Sequence, residues 1–176
     1  RRLAAEGHDL NGEARMLDAM SARGSRILDA GCGTGRVGGR LAELGHTVVG
    51  ADVDPALIDY AKAEFPGADW YVCDLALLDL PAVGVAEQFD LVFAAGNVMG
   101  FLAPSTRVDV LRRLGDHLAP GGRVVVAYGA GRGYAFDDFF ADLVSAGLRL
   151  DTALSTWELH PYTPASDFLV AIASKA

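Results

Sequence analysis

The segment of residues 26–52 constrains the fold more than any other part of this sequence. It begins with a short apolar run, passes through a glycine-rich loop, continues with a helical pattern and ends in a β-branched run. The loop glycines are Gly31, Gly33 and Gly35. A carboxylate closes each run, Asp29 the first and Asp52 the second. Because glycines allow close approach to the backbone and open α/β sheets bind ligands beyond the carboxyl ends of their strands, this segment predicts a ligand-binding strand–loop–helix–strand unit.

Helical and extended patterns continue to alternate along the chain. The predicted helices are residues 12–21, 34–44, 55–65, 104–118 and 136–146, and the later strands are 70–73, 89–95, 123–127, 148–157 and 168–174. This alternation is typical of an open, doubly wound α/β sheet with helices on both faces. The last two strands have no helix between them, so we expect an antiparallel hairpin.

The length and composition predict a single domain over residues 1–176. The chain has 176 residues, of which 51% are hydrophobic, so it can bury one large core and is too short for two ordinary domains. We expect a core of residues 25–176 preceded by a helical N-terminal segment, residues 1–24. Because the chain begins with Arg1 rather than methionine, we also expect further residues upstream.

Charge and cysteine content narrow the function classes. The formal net charge of −8 argues against a nucleic-acid partner, because phosphate backbones are bound by clustered cations. Small neutral or cationic partners suit this charge better. No apolar run is long enough to span a membrane, and the first residues lack the apolar core of a secretory signal. Cys32 and Cys73 are far apart without ligand-like spacing, so we expect reduced thiols, no metal site and a cytoplasmic location.

Two kinds of cofactor can use such a glycine loop. Residues 33–38 match the G-x-G-x-x-G pattern of a nicotinamide dinucleotide site, which would make the chain an NAD(P)-binding oxidoreductase. That pattern should open directly at the strand end, whereas here residues 29–32 precede it. Asp29 would also present a negative charge to the pyrophosphate that the helix N-terminus should hold. A cofactor with a cationic end and no phosphate removes this conflict.

At these residues the sequence resembles the class I S-adenosylmethionine-dependent methyltransferases. Residues 29–35, DAGCGTG, match the family's first motif, an acid followed by G-x-G-x-G, and Asp52 matches the acid that ends its second strand. Weaker similarities follow in the family's order at residues 73–75, 89–97 and 118–122. The resemblance implies a Rossmann-like sheet of seven strands in the order 3-2-1-4-5-7-6, with strand 7 antiparallel.

The same resemblance implies a binding site for S-adenosyl-L-methionine. Asp52 would hold the ribose hydroxyls in charge-assisted hydrogen bonds, and Asp29 would accept from the methionine ammonium directly or through water. Asp74 would accept from the adenine amino group, with Val53 and Leu75 on the two faces of the ring. The other residues expected at the cofactor are Gly31, Cys32, Gly33, Gly35, Ala95 and Gly96.

The resemblance further implies methyl transfer, and we expect a small-molecule acceptor because the chain offers no added domain or basic patch for a macromolecule. In-line displacement requires alignment of the reactants, and a general base only for a poorly acidic nucleophile. The candidate catalytic residues are Asn97, after the fourth strand, and His160, in the final hairpin turn. Hydrogen bonding within the loop is the structural alternative for Asn97, and an ordinary surface turn is the alternative for His160. A cofactor-binding module without catalysis is a third hypothesis.

Overall fold

The computed structural model describes residues 11–176, and the strands of this part form one mixed sheet. The strands are β1 (Arg26–Ala30), β2 (Thr47–Asp52), β3 (Asp69–Val72), β4 (Phe89–Ala94), β5 (Leu118–Gly129), β6 (Leu148–Leu154) and β7 (Phe168–Lys175). Their order is β3-β2-β1-β4-β5-β7-β6, and β7 runs antiparallel to both of its neighbours. The seven-stranded, doubly wound architecture and the final hairpin are therefore confirmed.

Six α-helices connect these strands in the described part of the chain. They are α1 (Gly12–Ala19), α2 (Arg36–Glu43), α3 (Pro55–Glu64), α4 (Val98–Phe101), α5 (Arg107–Asp116) and α6 (Phe136–Ser145). The short helix α4 was not predicted, and the helix expected over residues 104–118 begins instead as a 3₁₀ turn, Pro104–Thr106. None of these helices combines the length and the apolar character that crossing a bilayer would require.

The start of α3 shows how local sequence determines an element. The Asp54 carboxylate accepts a hydrogen bond of 2.8 Å from the Ala56 backbone N–H, so it caps the helix, and Pro55 occupies the first turn. A short acceptor followed by proline is a local signal for a helix start, because the acceptor satisfies a free N–H group and proline fixes the backbone angle needed there.

Strand β5 differs from its predicted extent because it contains an irregularity. Leu118 pairs with Phe89, but the next pair along is Arg123 with Leu91, so residues 119–122 form a bulge within the strand rather than a turn before it. Gly122 is needed at this point, since a Cβ there would lie 2.8 Å from the Phe89 carbonyl oxygen. The glycine and proline residues of 119–122 indicate an irregular segment in the sequence. They do not indicate that the strand pairs with β4 on both sides of this segment.

The two faces of the sheet form two hydrophobic clusters. Neighbouring residues of a strand belong to opposite clusters, as Ile27 and Leu28 do in β1 and Val124 and Val125 do in β5. Helices α5 and α6 cover one cluster, whereas α1 and α2 cover the other. The central strands are therefore buried on both sides, and their carboxyl ends are the accessible part of the sheet centre.

Two buried histidines, His46 and His117, have structural partners. His46 is buried, and its Nε2 lies 2.9 Å from an Asp18 carboxylate oxygen. In His117 the Nδ1–H donates to the Arg113 carbonyl oxygen at 2.7 Å, while Nε2 accepts from the Leu80 N–H at 3.2 Å. His8 lies outside the described residues.

The Tyr128 hydroxyl provides a test of the core packing. Tyr128 is fully buried among the rings of Tyr134, Phe136 and Phe139, and within residues 11–176 its hydroxyl has no hydrogen-bond partner. Burying an unpaired hydroxyl costs roughly 1–3 kcal/mol, so we expect Tyr128→Phe to raise the free energy of unfolding in urea by about 1 kcal/mol. Tyr134→Phe is the matched control and should lower it, because that hydroxyl donates to Asp142 at 2.6 Å. A larger loss from Tyr128→Phe than from Tyr134→Phe would contradict this account.

Candidate functional site

A cavity of about 740 Å³ opens at the carboxyl end of the sheet. Such a volume lies within the range of roughly 300–1,000 Å³ that is usual for small-molecule sites. Four connections line it: the loop after β1, the segment from the end of β2 to the start of α3, the segment after β3, and the segment between β4 and α5. The lining residues are Gly31, Gly33, Asp52, Val53, Asp54, Leu57, Cys73, Asp74, Leu75, Ala76, Gly96, Val98, Phe101, Leu102, Ala103 and Thr106. The cavity therefore lies where parallel sheets bind their ligands.

The Asp52 carboxylate is oriented by two backbone groups. One of its oxygens accepts from the Gly33 N–H at 2.9 Å, and the other accepts from the Asp54 N–H at 3.0 Å. Asp52 is half-buried and lines the cavity, so both oxygens are fixed while part of the group faces the open space. A carboxylate has about four lone-pair sites, which leaves acceptor capacity for hydroxyl donors of a ligand.

The glycine loop is attached to β2 and packs closely against α4. The Gly31 and Cys32 N–H groups both donate to the Ala51 carbonyl oxygen, at 2.8 and 3.0 Å. Gly31 has a positive φ of 79°, and a Cβ there would lie 2.6 Å from the Val98 side chain. Glycine is thus required at this position both by the backbone conformation and by the contact with α4.

Asp29 lies beside a smaller cavity of about 200 Å³ on the other side of the glycine loop. Its side chain is buried, with 3% of the residue exposed, and accepts from the Gly38 N–H at 3.0 Å. Burial raises the pKa of this carboxyl to about 7, although the Gly38 hydrogen bond and the nearby Arg36 charge oppose the rise. The Arg36 guanidinium also lines this cavity and forms a 2.7 Å ion pair with Glu13 of α1.

The predicted adenine residues border the large cavity together. Asp74 accepts from the Ala76 N–H at 2.9 Å and so caps the 3₁₀ turn Leu75–Leu77. Val53 is 66% exposed, whereas Leu75 is buried, and both line the same space as Asp74. This edge combines an acceptor with two apolar surfaces, an arrangement that suits a planar ring with an exocyclic donor.

The structure brings most of the predicted cofactor residues to one region. The large cavity is lined by Gly31, Gly33, Asp52, Val53, Asp74, Leu75 and Gly96, and the smaller one by Asp29, Gly31, Cys32, Gly33, Ala95 and Gly96. Gly35 lines neither cavity. A Cβ at Gly35 would lie 2.9 Å from both Ala61 and the Trp70 ring, so this glycine allows α2 to approach α3 and β3.

The two predicted catalytic residues do not line these cavities. Asn97 has a positive φ of 66°, and its Oδ1 accepts from the Gly129 N–H at 2.8 Å, which joins the β4 and β5 loops. His160 is exposed in the final hairpin, where its Nδ1 lies 2.9 Å from the Thr156 hydroxyl. The position of Asn97 is determined by its hydrogen bond to β5, and that of His160 by a hydrogen bond within its own hairpin. A catalytic role for Asn97 or His160 stays a prediction.

Several aromatic residues after β5 and in the final hairpin contribute to packing. Tyr134 is buried beneath α6, and Phe136 contacts Tyr162 with ring centres 5.8 Å apart. Trp157 packs against the sheet cluster that α1 and α2 cover. The apolar residues of 98–103 line the large cavity, although they were not predicted to lie at the site. The apolar run VMGFL directly after a strand end was the available signal.

Comparison with known proteins identifies relatives of this site. A family model described as a methyltransferase domain matches residues 27–122. A TehB-like SAM-dependent methyltransferase from Corynebacterium glutamicum is 49% identical, with a TM-score of 0.94, and the match covers 100% of this chain and 94% of that one. This similarity extends through the whole sheet and includes both cavities.

Curated relatives match over shorter segments. A magnesium-protoporphyrin O-methyltransferase from Rhodobacter capsulatus is 41% identical over 46% of this chain and 36% of its own length. A ribosomal protein L11 methyltransferase from Symbiobacterium thermophilum is 34% identical over 64% of this chain and 35% of its own length. The chain therefore spans about a third of the length of these two relatives.

The buried Asp29 carboxyl predicts a specific pH dependence of stability. Because its pKa of about 7 in the folded protein exceeds its ordinary value of 3.8, its contribution to stability is complete at low pH and is lost as the pH rises through 7. Asp29→Asn keeps an oxygen for the Gly38 N–H but cannot ionise. We expect its melting temperature to exceed that of the wild type by at least about 3 °C at pH 8 and to match it near pH 4. Thermal unfolding between these pH values measures the difference.

Asp59→Asn, on the exposed side of α3, provides the control for this titration. Its melting temperature should follow that of the wild type at every pH. A stability difference for Asp29→Asn that does not change with pH would show that Asp29 does not titrate in this range.

Proposed function

The chain belongs to the class I S-adenosylmethionine-dependent methyltransferases, and on this premise we propose that it transfers a methyl group from S-adenosyl-L-methionine to a small-molecule acceptor. The observation that carries the proposal is the Asp52 carboxylate, which is oriented by the Gly33 and Asp54 N–H groups at the edge of the large cavity. A fixed anionic acceptor beside a glycine loop suits a ligand that presents hydroxyl donors and no phosphate.

The residues around the two cavities fit the parts of this cofactor. We assign the ribose hydroxyls to Asp52 and the adenine ring to the edge formed by Val53, Asp74 and Leu75. The ammonium end is assigned to the smaller cavity, where Asp29 is the nearest carboxylate. Since only 3% of Asp29 is exposed, its contribution is an electrostatic one or a contact through water, and the loop carbonyl groups accept directly.

In this proposal the protein acts mainly by alignment. When bound, the cofactor supplies an electrophilic methyl group that is attached to a sulfonium. After the methyl group has been transferred, the former sulfonium is a neutral thioether. The glycine loop and Asp52 fix one reactant, while Val98 and Phe101 border the space for the other. Alignment of two reactants can lower a barrier by roughly 7–11 kcal/mol without any protein group that transfers a proton. No general base is therefore assigned, although Asn97 and His160 stay candidates.

A small-molecule acceptor is favoured by the shape and charge of the site. The cavity of about 740 Å³ is concave and borders several apolar side chains, as sites for small molecules do. The net charge of −8 disfavours nucleic acid. One relative is named for a magnesium protoporphyrin and another for a ribosomal protein. Their names therefore do not decide between a small molecule and a macromolecule as the acceptor. The free cysteines Cys32 and Cys73 support a cytoplasmic location as part of the same proposal.

Substitution of Asp52 tests the cofactor assignment. We expect Asp52→Ala to weaken the binding of S-adenosylhomocysteine, the demethylated cofactor, by at least about 100-fold, because hydrogen bonds to a charged acceptor are lost at two hydroxyl groups. Asp52→Asn keeps one oxygen and should lose about tenfold. Isothermal titration calorimetry measures both constants, and Asp59→Asn on the exposed side of α3 is the control. Unchanged affinity in folded Asp52→Ala would contradict the assignment.

Methyl transfer itself is tested with cofactor that carries a labelled methyl group. The protein is incubated with a fractionated small-molecule extract and, separately, with the proteins of the same extract. Mass spectrometry should find a product in the small-molecule fraction heavier by one labelled methyl group, and none without the protein. Label only in the protein fraction would overturn the small-molecule acceptor. Cofactor binding without product in either fraction would support a binding module instead, and binding of a nicotinamide cofactor alone would favour an oxidoreductase.

A further inference from the structure

The loop after β5 carries an arginine that has no partner within residues 11–176. Arg132 lies between β5 and α6 and is exposed. Every other arginine of residues 11–176 has a hydrogen bond, an ion pair or a ring contact, as Arg112 has with Asp109. In the same part of the chain no such interaction is found for Arg132, so its positive charge is available to a ligand.

Arg132 packs against helix α4, which contributes Val98 and Phe101 to the lining of the large cavity. A Cβ on Gly100 would lie 2.7 Å from the Arg132 Cβ and 3.1 Å from its carbonyl oxygen, so Arg132 lies directly against this helix. The next residue of the helix is Phe101, which lines the cavity and is 82% exposed. Arg132 is therefore packed against the residue that precedes an exposed aromatic side chain at the edge of the proposed acceptor space.

The loop that carries Arg132 is fixed by its neighbours. The Arg107 guanidinium donates to the Gly133 carbonyl oxygen at 2.7 Å and stacks on the Tyr134 ring, with its central carbon 3.9 Å from the ring centre. The Tyr134 hydroxyl in turn donates to Asp142 of α6 at 2.6 Å. Because these contacts hold the residues that follow Arg132, its position against α4 does not depend on a loose loop.

Charges around the cavity are unequally distributed. Asp52, Asp54 and Asp74 line the part assigned to the cofactor, and the chain as a whole carries a net charge of −8. An anionic group on a ligand would be repelled there and attracted to Arg132. The overall charge favours neutral or cationic partners, but the edge of the site near Arg132 favours an anionic group.

We propose that Arg132 and Phe101 bind the methyl acceptor and select an aromatic molecule that carries a carboxylate. The inference rests on the proposed methyl transfer and names its substrate class. A guanidinium pairs with a carboxylate through two parallel N–H···O hydrogen bonds, and an exposed phenyl ring contacts an aromatic body. When the carboxylate of the acceptor binds Arg132, only neutral groups of the acceptor lie near the acids of the cofactor part.

Matched probes test this inference by binding alone. The protein is first saturated with S-adenosylhomocysteine, and benzoate or its neutral analogue benzamide is then titrated while amide chemical shifts are followed by NMR. We expect benzoate to bind about fivefold more tightly than benzamide, as for one partly exposed ion pair. Arg132→Gln should weaken benzoate alone and remove the preference, whereas Arg132→Lys should keep part of it. Phe101→Ala should weaken both probes to a similar extent.

Arg112→Gln is the control, because Arg112 is exposed on α5 and paired with Asp109 rather than placed at the cavity. It should leave both probe affinities unchanged. Equal binding of the two probes by the wild type, or a benzoate preference that survives in Arg132→Gln, would overturn the inference and leave methyl transfer intact. Failure of S-adenosylhomocysteine to bind in the first step would instead count against the proposed function.

Discussion

The hydrogen bonds between the carboxyl end of β2 and the glycine loop after β1 are the constraint on which the site depends. The Ala51 carbonyl oxygen accepts from two loop N–H groups, and the Asp52 carboxylate accepts from a third, that of Gly33. These contacts fix the loop before any ligand binds, so the backbone that borders both cavities is preorganised. The same carboxylate accepts from the Asp54 N–H and thereby joins the loop to the start of α3.

A second acid, Asp29, has the opposite physical character. It is buried, and burial raises its pKa to about 7, so its ionised form is costly in the folded protein. Perturbed pKa values of this kind are concentrated at functional sites, because a cationic ligand group can offset the cost of ionisation. The two strand-end acids therefore differ in accessibility: Asp52 is half-buried and lines the large cavity, whereas Asp29 is buried beside the smaller one.

Helix α4 connects the cofactor part of the site with its acceptor side. Val98 packs against Gly31 of the glycine loop, Gly100 accommodates Arg132, and Phe101 faces the opening of the large cavity. A four-residue helix thus contacts both the loop after β1 and the loop after β5. Differences in acceptor preference among proteins with this sheet can arise in such connections without any change in the strands that carry them.

The sequence by itself determined the strand order through family resemblance, and it predicted the candidate cofactor residues through the positions of acids and glycines at strand ends. These features are local, since an N-cap, a glycine with positive φ or a buried strand is encoded within a few residues. Only the tertiary structure decided how the loops after β4, β5 and β6 pack together. The partners of Asn97 and His160 and the contact between Gly100 and Arg132 depend on how separate loops pack, and packing over 32 residues of separation, as between Asn97 and Gly129, leaves no periodic signal in the sequence.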